Sequence, residues 1–135
     1  MPSHIVYVDG ASRGNPGDAA VGVSLCDERG TELATVSKAI GPATNNEAEY
    51  TALIEALRLC QSRKIREVDV RADSELIVRQ MNGEYRVREP KLIPLAEEAR
   101  RLARSFERFS IVHVRREKNS RADELANQAL DSAGY

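Results

Sequence analysis

The sequence predicts an α/β fold, a five-stranded mixed sheet flanked by helices, and three observations carry that prediction. Segments of strand and helix period follow one another in the order βββαβααβα, the first three strands are joined by short connections, and the two later strands each follow a helix. Short connections make strands one to three an antiparallel meander. Strands four and five return after helical crossovers and so can lie parallel to strand one.

Residues 4–9, His-Ile-Val-Tyr-Val-Asp, are dominated by β-branched and aromatic side chains and stop at Gly10. A Gly-rich loop over residues 10–17 follows, and residues 19–26 form strand two. The turn Asp27-Glu28-Arg29-Gly30 leads into strand three over residues 31–40, which Gly41-Pro42 ends. From residue 46 to about 61 the pattern becomes helical, with Leu53, Ala56, Leu57 and Cys60 at i, i+3, i+4 and i+7. Strand four covers residues 65–72, and a short helix over 74–81 stops at Asn82-Gly83. A long charged helix over about 91–106 precedes strand five at 110–114. The last helix starts near Ser120 and puts Ala122, Leu125, Ala126 and Ala129 on one face.

With 135 residues and 41% hydrophobic content, a single domain spanning residues 1–135 is expected, with no repeat or linker. The opening Met1-Pro2-Ser3-His4 has neither a basic nor a long apolar segment, and no stretch approaches bilayer-spanning length, so a soluble cytoplasmic protein with no membrane partner is expected. Cys26 and Cys60 are too far apart for a Cys-x-x-Cys site and read as buried, reduced thiols. A net charge of -1 argues against a general polyanion binder, yet residues 1–62 hold four Lys/Arg against eight Asp/Glu and residues 63–135 hold sixteen against thirteen. On charge alone that imbalance describes solvated helix faces as well as an acidic centre beside basic surfaces.

Four carboxylates stand out. Asp9 and Asp73 close strands one and four, at the carboxyl edge where open α/β sheets bind ligands. Glu49 lies four residues before Leu53 and seven before Ala56, on the buried stripe of the first helix, whereas Glu47 shares a face with Thr51 and Arg58. A carboxylate on a core stripe needs a partner, and a metal ion is one. Singly, these acids have structural explanations: Asp9 as a turn former, Asp73 as the N-cap of the helix opening at Ser74, and Asp123 in a capping box Ser120-Arg121-Ala122-Asp123. Brought together, Asp9, Glu49, Asp73 and Asp123 make an oxygen-only pocket for hard divalent cations, the equipment for in-line attack on a phosphodiester. The Gly-rich loop is not a phosphate loop, which needs Gly-Lys-Ser/Thr entering a helix, although its Ser12 and Asn15 could touch a nucleic-acid backbone.

Four stretches, Val8-Asp9-Gly10-Ala11-Ser12-Arg13-Gly14-Asn15-Pro16-Gly17, Thr44-Asn45-Asn46-Glu47-Ala48-Glu49-Tyr50-Thr51-Ala52-Leu53, Asp73-Ser74-Glu75-Leu76-Ile77-Val78 and Asp123-Glu124-Leu125-Ala126-Asn127, resemble in order and spacing the motifs of type 1 ribonuclease H, in its form without a basic protrusion. The resemblance covers nearly the whole chain. It implies a ribonuclease H-like fold and metal-dependent hydrolysis of the RNA strand of RNA/DNA hybrids, leaving 3′-hydroxyl and 5′-phosphate ends. It implies a catalytic and metal-binding tetrad of Asp9, Glu49, Asp73 and Asp123 holding two Mg²⁺ ions, with Mn²⁺ as an alternative. Asp9 would bridge the ions, Glu49 and Asp73 would hold one, and Asp123 the other. Substrate contacts are implied for Gly10, Ser12, Asn15, Thr44, Asn45, Asn46 and Ser74. The partner implied is the hybrid, with no obligate protein partner and a monomeric state.

Two departures from the family pattern matter. The basic helix and loop of many bacterial relatives is missing before the long charged helix, so grip on the hybrid should be weaker or rest on Arg86, Arg88 and Lys91. The loop Arg115-Arg116-Glu117-Lys118-Asn119-Ser120 also lacks the histidine many relatives carry, and Arg116 or Lys118 is the expected substitute near the leaving group or a phosphate. His113, within strand five, reads as structural. Against the enzyme stand two other readings, a catalytically silent hybrid- or RNA-binding module of the same fold, and a ribonuclease H-like exonuclease. A binder gains nothing from four anionic groups facing a phosphate backbone, and the chain lacks the exonucleases' first-strand Asp-x-Glu pair.

Overall fold

In a computed structural model, which describes residues 4–134, the five strands form one sheet in the order β3-β2-β1-β4-β5. Met1, Pro2 and Ser3, on which the reading of the opening segment partly rests, lie outside the described residues. Strand β1 (His4–Ser12) pairs antiparallel with β2 (Gly17–Asp27), and β2 with β3 (Glu32–Ala43). On its other side β1 pairs parallel with β4 (Glu67–Ala72), and β4 with β5 (Arg108–His113). The expected meander and parallel pair are therefore both present.

Helices α1 (Asn45–Ser62), α2 (Glu75–Met81) and α3 (Ile93–Ala103) share the main core with one face of the sheet, and α4 (Ser120–Ser132) packs on β2, β1 and β3 across the other face. Val6, Val8, Val21, Val23, Val68 and Val70 supply the sheet side of that core, and Leu53, Ala56, Leu57 and Cys60 supply the stripe of α1. Burial of α1 extends beyond the stripe to Tyr50, Ala52 and Ile54, because the helix is packed by the sheet and by α3 as well. Cys26 and Cys60 are free and buried, as expected, and burial pushes the Cys60 thiol up to about 12. No helix among the described residues is long and apolar enough to cross a membrane.

Several boundaries differ from expectation. Strand β1 does not break at Gly10 but runs on to Ser12, paired with Ala19. A Cβ at Gly10 would overlap the carbonyl of Ala48 and the amide of Glu49, so this glycine admits the start of α1 onto the strand and does not terminate it. Strand β3 continues past Gly41-Pro42 to Ala43, tolerable for proline because β3 is an edge strand. Helix α3 is shorter than its charged run suggests, beginning only at Ile93 after a turn in which the amides of Leu92 and Ile93 bond to the Glu89 carbonyl. A 3-10 turn over Arg116–Lys118, not anticipated, links β5 to α4.

Candidate active site

The last parallel pair between β1 and β4 is Val8 with Ala72, so Asp9 and Asp73 emerge side by side at the carboxyl edge of the sheet. Helix α1 begins over this edge, and the Gly10 N–H donates to Oε1 of Glu49. One carboxylate oxygen from each of Asp9, Glu49 and Asp73 lies within 4.8 Å of the others. Asp123, in the first turn of α4, lines the same groove of about 540 Å³ but stands outside that three-oxygen set.

The structural explanations for two of these acids do not hold. Ser74, not Asp73, caps α2, its hydroxyl accepting from the Ile77 N–H at 3.3 Å. The capping box at Ser120 does not form either, since α4 is capped by Asn119 without a side-chain bond and Ser120 is already helical. The capping box lies instead at Thr44 and Glu47: the Glu47 N–H donates to Thr44 Oγ1 at 3.1 Å and the Thr44 N–H to Glu47 Oε1 at 2.9 Å. The two glutamates of α1 are thereby separated, Glu47 closing the helix end and Glu49 facing the groove.

Asp9 is only 7% exposed, and its carboxyl is pushed well above the usual carboxylate range, by burial first and then by the charges of Glu49 and Asp73. Glu49 is also raised, chiefly by burial, against the lowering effect of the Gly10 N–H and, more weakly, the Arg116 charge. Asp69 is a control within the same sheet. It is 6% exposed, yet Arg71 reaches its Oδ2 at 3.0 Å and Ser110 donates to its Oδ1 at 2.8 Å. Burial of one carboxylate is offset by a cation, whereas Asp9 meets further carboxylates.

A divalent ion fits this set. The donors are all hard oxygens, and their spacing is close to the roughly 4 Å that one Mg²⁺ spans and within reach of a pair of ions.

Of the remaining residues singled out in the sequence, Gly10, Ser12, Asn45, Asn46, Ser74 and Arg116 line the groove with the acids. Asn45 is held in place from two sides, its Oδ1 accepting from the Ser12 N–H at 3.2 Å and its own N–H donating to Asn15 Oδ1 at 3.1 Å. Asn15 and Thr44 do not themselves line the groove, and serve instead as a brace for Asn45 and as the cap of α1. The Ser12 hydroxyl is turned toward the Ala43 carbonyl at 2.8 Å. Lys118 is not brought to the groove and lines a separate cavity with Tyr7, Ser24 and Cys26. His113 ends β5 beside Ala72, exposed and not lining the groove.

Asn127, part of the fourth stretch but given no role in the sequence reading, also lines the groove, donating from Nδ2 to the Asp123 carbonyl at 3.0 Å and to Asp123 Oδ1 at 3.3 Å. Its position one helical turn after Asp123 was the available signal.

A family model described as reverse transcriptase-like matches residues 7–129. The chain is 46% identical to Ribonuclease HI of Halobacterium salinarum over 94% of its own length, and it spans 64% of the length of that relative. A crystal structure of RNase H1 from the same archaeon superposes with a TM-score of 0.93 at 45% identity, covering 96% of this chain and 98% of that one. LC11-RNase H1, isolated from compost by a metagenomic approach and solved in complex with an RNA/DNA hybrid, gives 0.92 at 48% identity, with coverage of 96% and 98%.

Proposed function

This chain belongs to the type 1 ribonuclease H family, and on that footing we propose that it is an endonuclease hydrolysing the RNA strand of RNA/DNA hybrids, with the whole chain acting as one catalytic domain. The observation that carries this reading is the contrast between Asp69, buried against Arg71, and the group of Asp9, Glu49 and Asp73, buried against one another. Mutually repelling carboxylates at the ligand-binding edge of a sheet are stabilised by a multivalent cation or, without one, by taking up protons, and only the cation leaves them charged for chemistry.

Two Mg²⁺ ions, or Mn²⁺ in their place, would be held by Asp9, Glu49, Asp73 and Asp123 and would supply the charge that acidifies an attacking water and offsets the charge on the leaving oxygen. Asp9, central in the group, would contribute to both ions, Glu49 and Asp73 to one, and Asp123 to the other. Arg116 stands close enough to act on the Glu49 charge and is therefore the group proposed to hold the scissile phosphate or the leaving end. Lys118 is not carried forward. Backbone at Gly10 and Glu49 would read the ribose 2′-hydroxyls that mark an RNA strand, and Asn45 and Asn46 would reach the minor groove. Cleavage would leave 3′-hydroxyl and 5′-phosphate ends. The exposed Arg86, Arg88 and Lys91 would contact phosphates in the absence of a basic insertion. Two unpaired thiols agree with a reducing, cytoplasmic setting.

The test is a gel comparing a labelled RNA/DNA hybrid, double-stranded RNA and double-stranded DNA with Mg²⁺ and with EDTA. Internal cleavage of the RNA strand of the hybrid, abolished by EDTA, is expected. Hybrid retention without cleavage would identify a silent binding module, and trimming from one end an exonuclease.

A further inference from the structure

Asp123 reaches the groove on the last helix, and its distance from the other three acids depends on how α4 is seated on the sheet. Of the contacts that hold that seat, two bear directly on Asp9. Gly22 is the cross-strand partner of Asp9, and a Cβ there would overlap the carbonyl oxygen of Ala122, so α4 lies directly on the β2 backbone. The second contact is Asn119, 1% exposed, whose Nδ2 donates to the carbonyl of Val8 at 2.8 Å. Val8 precedes Asp9, and the Asn119 carbonyl in turn accepts from the Asp123 N–H at 3.2 Å. A single residue therefore joins the strand carrying Asp9, through its side chain, to the helical turn carrying Asp123, through its backbone carbonyl.

The other end of that side chain shows that capping is not its role. Asn119 stands at the N-cap of α4, where an asparagine oxygen ordinarily accepts from a first-turn N–H. Here no such bond is made, and Oδ1 is buried with no partner among the described residues. A buried acceptor left unpaired opposes folding. The side chain forgoes the stabilising bond of a cap and keeps only its donor, aimed at Val8.

We propose that Asn119 is a positioning residue that fixes the separation of Asp123 from Asp9, Glu49 and Asp73, and with it the affinity of the four-carboxylate site for divalent cations. The inference rests on the metal-site reading above. It does not require that the chain cleave any particular nucleic acid.

The discriminating substitution is Asn119→Ser, which supplies a good cap but is too short to reach Val8 and leaves no buried amide oxygen. Asn119→Asp, which keeps the shape and an oxygen acceptor but loses the N–H donor, is the second variant. Mg²⁺ binding is followed by calorimetry, together with the Mg²⁺ dependence of cleavage, KM for hybrid, and melting in EDTA. For both variants Mg²⁺ affinity should fall about tenfold or more, as for other groups that orient metal ligands. For Asn119→Ser, the kcat at fixed Mg²⁺ should fall in parallel and recover at high Mg²⁺, KM for hybrid should stay unchanged, and the EDTA melting temperature should equal or exceed that of the wild type. Wild-type Mg²⁺ affinity in either variant that folds overturns the proposal. Failure of both variants to fold assigns Asn119 to the core and overturns it too. Should the wild type bind Mg²⁺ yet cleave nothing, the nuclease reading falls while calorimetry still decides the role of Asn119.

Discussion

Asp9 and Asp69 sit on neighbouring strands with nearly equal exposure, 7% and 6%, and the side chains around them set a carboxylate that meets other carboxylates apart from one paired with a cation. Removing the charge at Asp69 would strand Arg71, whereas removing it at Asp9 or Asp73 relieves repulsion. Asp73→Asn should therefore lower cleavage by about a hundredfold or more while leaving hybrid binding and folding intact, because Asp73 caps nothing and an amide keeps its shape. Turnover and a gel-shift titration on the same preparation check both halves. Retained turnover would remove Asp73 from the site. The two glutamates of α1 make a second comparison. Glu47→Gln should be nearly silent, since glutamine also closes a capping box, and Glu47→Ala should cost about 0.5–2 kcal/mol of stability with little change in turnover. Greater loss of activity in Glu47→Gln than in Glu49→Gln would reverse the assignment.

At the scale of elements, the site depends on two helices brought unusually close to strands. Gly10 admits α1 and Gly22 admits α4, each at a point where any side chain would meet backbone. Gly22→Ala should cost about 1–3 kcal/mol, because the helix backbone itself must move, and the displaced Asp123 should lower turnover as well. Gly30→Ala meets nothing within 4 Å and serves as the comparison for strain alone, its φ being +85°. Equal effects of the two on turnover would contradict the close-packing argument. These glycines also mark where sequence reasoning reached its limit. The apolar spacing of Leu53, Ala56, Leu57 and Cys60 was enough to orient α1 and to separate Glu49 from Glu47, since a helix buries whichever stripe is apolar. Gly10 read as a strand breaker because a lone sequence shows conformational freedom, not the approach of a helix 38 residues later. Thr44-x-x-Glu47 was a legible capping signature that the acidic motif overshadowed. Lys118 and Arg116 are alike in chemistry and two residues apart, and only the 3-10 turn turns one to the groove and the other away.

For the whole molecule, the carboxylate group couples stability to pH, and the proposed site should couple it to metal as well. Asp9 and Glu49 titrate above the ordinary carboxylate range in the folded chain, so from that range upward through neutrality the folded state holds more protons than the unfolded one. Metal-free stability is therefore greatest below the unfolded carboxylate values and falls as pH rises through the raised ones. In EDTA the melting temperature should drop between about pH 5 and pH 8, and Asp9→Asn should melt higher at the upper end with a flatter profile. Mg²⁺ should restore wild-type stability by about 2.7 kcal/mol at a hundredfold excess over its Kd, and Asp9→Asn should respond far less. A wild-type profile that is flat in EDTA would mean the acids do not share a site. The seat of α4 has a consequence for how the protein comes into being. Three of the four acids belong to the first 73 residues, and the fourth arrives on the last helix, which needs β2, β1 and β3 in place before it can dock. A nascent chain thus holds three of the proposed metal ligands well before the fourth can join them. Full affinity for a pair of divalent ions should then be acquired only when α4 docks, so the proposed site is the last part of this fold to be completed.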